Sequence, residues 1–163
     1  MNIKGAIQAY EQLELSLGEG AKANWTGANF EDKMEDFLRF AGYEYETQVK
    51  YTNLYGSNRC KIDFVVVNSL GNPVHIECKF QNVSGSVDEK LPFCLHNLEQ
   101  FDNGLVLLGG DHWKTERGVL IRTWADSAYV RGVFKSKVVL AEEFMKNASY
   151  FLDVMPDKSF ALR

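Results

Sequence analysis

Several features that would assign a protein class are scarce or absent in this sequence of 163 residues. No apolar run approaches the roughly 20 residues of a membrane-spanning helix, so we predict no membrane association. The start of the chain shows no apolar signal-peptide segment. Only three cysteines occur, without a C-x-x-C pair, which argues against structural zinc and fits reduced thiols in a cytoplasmic protein.

An excess of basic charge is also missing. The chain has 18 Lys and Arg against 22 Asp and Glu, a formal net charge of −4. Such a balance is unusual for a protein that binds a polyanion, because phosphate binders normally carry a basic surface. The charge is uneven, however: residues 114–137 contain six basic and two acidic side chains. A local basic surface is therefore compatible with the acidic total.

The most informative segment is residues 73–81, where apolar and polar side chains alternate as on a β-strand. Val74 and Ile76 belong to the apolar series, whereas Glu77 and Lys79 belong to the polar one. Because alternate residues of a strand point to the same face, Glu77 and Lys79 should project together. A carboxylate beside an ammonium group suits a site that binds a divalent metal and a phosphate. Exposed strand residues alone could give the same pattern.

Two further acids make the site interpretation stronger. Asp63 interrupts the apolar strand predicted over residues 60–67, where an unpaired carboxylate would cost several kcal/mol by rough estimate. Residues 28–41 show apolar side chains at helical spacing and are followed by Gly42, which predicts a helix ending there. That helix carries Glu31 in its first turn and Glu35 one turn later, with Glu35 as the reserve candidate.

Together these pieces resemble the PD-(D/E)XK nuclease superfamily. Asp63 and the Glu77-Cys78-Lys79 segment match its two-strand motif, although Ile62 stands at the position of the proline in the family name. Gly27-Ala28-Asn29-Phe30-Glu31 matches the G-x-x-F/A-E helix of Holliday-junction resolvases and related phage and restriction nucleases. The resemblance covers about residues 27–150. It implies an α/β (α+β) fold with a restriction-endonuclease-like core, in which helices flank a central mixed sheet.

The resemblance also implies a set of site residues and a cofactor. The metal, Mg²⁺ with Mn²⁺ able to substitute, would be held by Asp63, Glu77, the backbone carbonyl of Cys78 and Glu31. Lys79 would orient or deprotonate the attacking water or neutralise developing charge, and the sequence does not choose among these roles. Gln81 would position the water or a phosphate oxygen. The implied catalytic residues are Glu31, Asp63, Glu77, Lys79 and Gln81.

The remaining segments complete a single domain over residues 1–163, in which 1–26 form an N-terminal extension. After strands near 43–49, 60–67 and 73–81, we predict a helix beginning within 83–93 and a strand at 105–110. An irregular stretch follows, and a strand and helix close the domain. Residues 111–118 are expected to be a surface loop, and Trp124 is expected in the core.

The function implied is a Mg²⁺-dependent DNA endonuclease that hydrolyses phosphodiester bonds. A structure-specific, Holliday-junction-resolvase-like enzyme is the favoured subclass, acting as a homodimer in the cytoplasm of a bacterial or phage-infected cell. A restriction-type or phage DNA-degrading endonuclease is the alternative. A hypothesis of another class is a catalytically inactive module that binds nucleic acid or protein on the same fold. The predicted DNA-contacting residues are Lys114, Arg117, Lys135 and Lys137.

Overall fold

The computed structural model describes residues 27–156, and the predicted extension over 1–26 lies outside these residues. Nine elements of regular structure follow each other along the chain. They are α1 (Gly27–Phe40), β1 (Glu44–Tyr51), β2 (Cys60–Val67), β3 (Pro73–Phe80), α2 (Val87–Leu98), β4 (Gly104–Gly109), α3 (Glu116–Val130), β5 (Lys137–Leu140) and α4 (Ala141–Lys146). A 3₁₀ turn (Asp111–Lys114) precedes α3, and a π-helical turn (Tyr150–Val154) follows α4.

The five strands form one mixed sheet in the order β1-β2-β3-β4-β5. The first three strands are antiparallel neighbours, whereas β4 and β5 run parallel to β3. Parallel neighbours need crossover connections, which α2 and α3 provide. The predicted mixed sheet flanked by helices is confirmed.

Each face of the sheet supports a hydrophobic core. On one face α1 and α4 cover β2, β3 and β4, with Phe30, Phe37 and Phe144 almost completely buried. On the other face α2 and α3 pack around Leu95 and Trp113. Both faces of β4 are therefore buried, which explains why its sequence is apolar throughout instead of alternating.

Two expectations about the second half of the chain are wrong. Residues 111–118 are not a surface loop: they form the 3₁₀ turn and the start of α3, and Trp113 is fully buried. Trp124, expected in the core, is 41% exposed on α3. The physical reason is that α3 buries mainly small residues such as Ala125 and Ala128 and so lacks a clear apolar stripe.

The predicted absence of a membrane-spanning segment can be compared with the length and hydropathy of the helices. Among the helices of residues 27–156, none is both long enough and apolar enough to cross a bilayer.

Candidate active site

Strands β2 and β3 separate at the position of Asp63. Pairing between β2 and β3 runs from Val67–Pro73 to Phe64–Ile76 and then stops, so Asp63 and Glu77 are the first residues beyond the ladder. The Asp63 Oδ2 atom accepts a hydrogen bond of 2.7 Å from the backbone amide of Cys78. A side-chain carboxylate thus replaces the missing strand-to-strand hydrogen bond. This contact explains how an acid can occupy a buried strand.

The regular alternation of β2 is interrupted at the same residue. Ile62 and Phe64 are two positions apart, yet they pack into the cores on opposite faces of the sheet. Opposite Asp63, on β1, Gln48 has a φ of 53° and is the single non-glycine residue with positive φ in residues 27–156. Such strain in an L-residue often occurs at functional sites.

The Gln48 side chain connects the two acids that come from different elements. Its Nε2 atom lies 3.4 Å from Glu31 Oε2 on α1 and 3.4 Å from Asp63 Oδ1 on β2. Gln48 was not predicted as a site residue. In the sequence Gln48 lies within an ordinary alternating strand pattern. Neither its residue type nor its neighbours indicate that its backbone is left-handed.

We expect the Gln48 backbone to reverse the usual ranking of alanine and glycine. Glycine adopts positive φ without steric penalty, so Gln48→Gly should be more stable than Gln48→Ala by about 1 kcal/mol. Urea denaturation of both variants measures the difference. Thr47 provides the matched control, since it pairs regularly with Phe64, and there Ala should be the more stable substituent. A Gly variant less stable than the Ala variant at Gln48 would contradict the strained backbone.

Glu77 and Lys79 project from the same face of β3, as predicted. Lys79 Nζ donates to Glu77 Oε2 at 2.6 Å, and the side chains of Lys79 and Glu77 are 23% and 10% exposed, respectively. Both side chains line a cleft of about 270 Å³ on the α2 side of the sheet. The alternative of an ordinary exposed strand face does not apply, because the pair lies in the wall of this cleft.

The acids of the site share one electrostatic environment. Burial raises the pKa of Glu77 to about 7, with Asp63 and Glu31 adding repulsion and Lys79 opposing the shift. Burial also raises the pKa of Asp63, against the hydrogen bond from Cys78 and the charge of Lys79. The pKa of Glu31 is raised by burial and by Asp63. Burial alone would lower the pKa of Lys79, but the neighbouring carboxylates, Glu77 foremost, raise it.

These shifts predict how the free energy of unfolding depends on pH without divalent cations. Folded Glu77 holds its proton more tightly than in the unfolded chain, so its stabilising contribution is complete below about pH 4.5 and is lost as pH rises towards 7. Relative to Glu77→Gln, the wild type should lose roughly 1 to 3 kcal/mol over this range. Urea titrations in EDTA at several pH values measure the two slopes. The slope is compared because Glu77→Gln also removes the ion pair with Lys79, which changes the level. Parallel slopes would show that Glu77 has an ordinary pKa.

Gln81 does not lie with Glu77 and Lys79 in the way its position suggested. Its Nε2 donates to Asp88 Oδ1 at 3.2 Å, and its Oε1 accepts from the Val87 amide at 3.1 Å. Asp88 also contacts the buried His112 at 2.7 Å and Arg117 at 2.7 Å. In this structure the Gln81 amide therefore stabilises the start of α2.

Glu35, the reserve acid, is directed towards β1. Its Oε1 atom accepts a hydrogen bond of 3.2 Å from the Tyr45 hydroxyl. Glu31, one turn earlier on the same helix, is the acid that Gln48 links to Asp63. Of the two helix acids, the structure therefore brings Glu31 closer to the strand acids.

The predicted DNA-contacting residues lie at two opposite ends of the sheet. Strand register places Lys137 beside Leu105 and Leu140 beside Leu108, whereas Lys79 also pairs with Leu108. Lys135 and Lys137 therefore lie near the end of the sheet that is remote from Lys79. Lys114 and Arg117 come after the last residue of β4, at the same end of the sheet as Lys79. Three of the four residues form ion pairs, which are Lys114–Glu142, Arg117–Asp88 and Lys137–Asp126. The fourth, Lys135, donates a hydrogen bond from Nζ to the Glu99 carbonyl.

A comparison with models of protein families identifies the family of this chain. Residues 22–148 match the model described as a PD-(D/E)XK nuclease superfamily domain. The chain belongs to the PD-(D/E)XK nuclease superfamily. The predicted superfamily and restriction-endonuclease-like core are thereby confirmed. The comparison with curated proteins and the comparison with solved structures gave no match.

Membership in the PD-(D/E)XK nuclease superfamily makes the chain a nuclease domain with a nucleic-acid substrate. Members of this superfamily generally use divalent metals, and the donor chemistry here agrees with such an ion. Asp63, Glu77 and Glu31 offer carboxylate oxygens, the ligands that Mg²⁺ prefers. Within residues 27–156, however, no three His, Cys, Asp or Glu side chains are arranged as a ready-made metal site. One Glu77 oxygen contacts Lys79 instead. The residues therefore match a divalent metal in the chemical type of their ligand atoms, and not in a completed coordination geometry.

Proposed function

We propose that this domain is a Mg²⁺-dependent DNA endonuclease whose reaction centre is the point where β2 and β3 separate. The observation that supports the proposal most strongly is the convergence of Asp63, Glu77 and Lys79 on that point. Glu77 and Lys79 lie in the wall of an open cleft, and Asp63 is buried beside them, where it accepts a hydrogen bond from the Cys78 amide. Burying charged side chains costs free energy. Binding of a cation and a phosphate at this point would explain why the protein keeps them there.

The side chains divide into those that would hold the metal and those that would handle the substrate. Asp63 and Glu77 would bind the ion directly, with the Cys78 carbonyl and Glu31 completing the set. A bound Mg²⁺ lowers the pKa of water and stabilises charge on the phosphate. Lys79 contacts one oxygen of Glu77, Oε2, so the other oxygen would be available to the ion while the Lys79 ammonium stays beside the site for the attacking water or the scissile phosphate.

Lys79 suits charge stabilisation better than proton abstraction in the metal-free protein. Its pKa is raised by the carboxylates around it, so the amine is protonated at neutral pH. A protonated amine donates hydrogen bonds to phosphate oxygens but cannot accept a proton. We therefore propose that Lys79 neutralises developing negative charge.

Among endonuclease subclasses we propose a structure-specific, Holliday-junction-resolvase-like enzyme, acting as a homodimer in the cytoplasm of a bacterial or phage-infected cell. The support is the Gly27–Glu31 helix motif, whose Glu31 contacts Gln48 beside Asp63. The deciding assay compares Mg²⁺-dependent cleavage of a four-way junction, its linear duplex arms and the component single strands. Preferential cutting of the junction supports this subclass. Equal cutting of duplex would favour a restriction-type or phage DNA-degrading enzyme.

A further inference from the structure

The cleft beside Glu77 and Lys79 is bounded by cationic and aromatic side chains from elements outside the motif. Lys61 contributes from β2, and Lys90 and Phe93 contribute from α2. At about 270 Å³ the cleft is slightly below the range of roughly 300–1,000 Å³ typical of small-molecule sites. Its size therefore suits a nucleotide-sized group.

An exposed aromatic pair lies at the side of this cleft. Tyr55, in the loop between β1 and β2, stacks on Phe93 with ring centroids 5.4 Å apart and an interplanar angle of 16°. Tyr55 is 81% exposed and Phe93 is 38% exposed. Phe93 lines the cleft, and the stack thus offers a wide aromatic surface to solvent next to the reaction centre.

The loop that carries Tyr55 is held in place by specific hydrogen bonds. Asn53 Oδ1 accepts from the amides of Tyr55 and Ser57, and the Asn53 amide donates to the Ser57 carbonyl. The amide of Leu54 donates to Asn97 Oδ1 on α2 at 3.1 Å. The loop is therefore fixed to the helix that supplies Phe93, so a ligand would meet a preformed stack and lose little entropy in ordering it.

The cations around the stack are free to meet a ligand. Lys50, Arg59, Lys61 and Lys90 are exposed, and none of them forms an ion pair with another residue in the described part of the chain. Lys50 and Arg59 line a second cleft of about 560 Å³, which shares Tyr51 with the first one. The charges predicted earlier as DNA contacts, such as Lys114 and Arg117, are instead paired with acids.

We propose that the Tyr55–Phe93 stack and its neighbouring lysines bind an unpaired segment of the DNA strand and guide it into the cleft beside Lys79. One base would stack on Tyr55, and Lys61 and Lys90 would contact the adjoining phosphates. Bases inside a duplex already stack on both sides, so only unpaired nucleotides present a free face. The inference rests on the proposed nuclease function in naming DNA, and it adds the form of DNA that this surface accepts.

Binding of fluorescent DNA in Ca²⁺ buffer tests the proposal without requiring cleavage. The probes are a single strand of about 12 nucleotides and a blunt duplex of the same length. Tyr55→Ala and Phe93→Ala should each weaken binding of the single strand by roughly 5- to 150-fold and change duplex affinity much less. Tyr55→Phe should bind like the wild type because it keeps the ring. Lys61→Ala and Lys90→Ala should each reduce the slope of log K against log salt by about 0.7.

Two surface variants provide matched controls. Tyr150→Ala removes an aromatic ring that is 51% exposed beyond α4, and Arg131→Ala removes an exposed cation after α3. Neither should alter binding of the single strand. Equal losses for duplex and single strand in Tyr55→Ala, or unchanged affinity in both Tyr55→Ala and Phe93→Ala, would overturn the proposal.

The outcome is separable from that of the nuclease proposal. Tyr55-dependent binding of single strands without Mg²⁺-dependent cleavage would refute the catalytic function and leave the binding surface standing. Cleavage that is normal in Tyr55→Ala, together with unchanged binding, would do the reverse.

Discussion

Asp63→Asn, Glu77→Gln and Lys79→Ala are each expected to lower DNA cleavage by at least about a thousandfold. The first two replace a carboxylate that would hold the metal with a neutral amide, which is a much weaker ligand for Mg²⁺. The third removes the ammonium group beside the phosphate. Asp63 and Glu77 are buried and Lys79 is partly buried at one point of the sheet. Initial rates on a labelled substrate in Mg²⁺ measure the effect.

Folding must be separated from chemistry in this experiment. The amide oxygen introduced by Asp63→Asn can still accept the hydrogen bond from the Cys78 amide, whereas Glu77→Gln leaves the Lys79 ammonium without its partner and should cost stability. Circular dichroism and urea denaturation establish which variants remain folded at the assay temperature. Glu143→Gln and Lys146→Ala on α4 are exposed controls of the same chemical type and should keep full activity. Near-normal cleavage by a folded Asp63→Asn protein would refute the site assignment.

Exchange of the divalent cation should change the result as strongly as mutation does. Mg²⁺ and Mn²⁺ should support cleavage, EDTA should abolish it, and Ca²⁺ should permit DNA binding without turnover. Ca²⁺ accepts carboxylate oxygens but tolerates a looser geometry and is a poorer activator of water. Gel assays of cleavage and anisotropy measurements of binding, made on the same samples, distinguish the two effects.

The experiment with Ca²⁺ needs a control that shows whether the ion binds at the proposed site. Binding of Ca²⁺ or Mn²⁺, followed by calorimetry, should weaken at least about tenfold in Asp63→Asn and remain unchanged in Glu143→Gln. Rapid cleavage in EDTA would exclude metal-assisted hydrolysis by this domain.

The residues of the candidate site that lie on strands were predictable from the sequence, whereas those placed by tertiary packing were not. Glu77 and Lys79 share a face because strand periodicity requires it, and Asp63 was conspicuous because it interrupts an apolar run. The left-handed Gln48 was missed because no local pattern distinguishes it. The direction of the Gln81 side chain depends on Asp88 and Val87, which pack against it only in the folded domain.

The same distinction applies to the fold. Amphipathic α1 and the apolar strand β4 were predictable from their own residues. In contrast, α3 has an unclear apolar face and was taken for irregular structure. It forms nevertheless: Thr115 caps its first turn, and Ala125 and Ala128 allow close packing against the sheet. The site residues contributed by short motifs were therefore more predictable than the surfaces contributed by long-range packing, including the Tyr55–Phe93 pair.

The hydrogen bond from the Cys78 amide to Asp63 also gives the protein a built-in spectroscopic reporter. A backbone amide that donates to a carboxylate changes its nitrogen and proton chemical shifts when that carboxylate gains a proton or binds a cation. The Cys78 amide lies within β3, inside a stable sheet, so its resonance should be sharp and slow to exchange with solvent. In isotope-labelled protein a single cross-peak would thus follow the occupancy of the site in solution, without an attached probe group and without substrate.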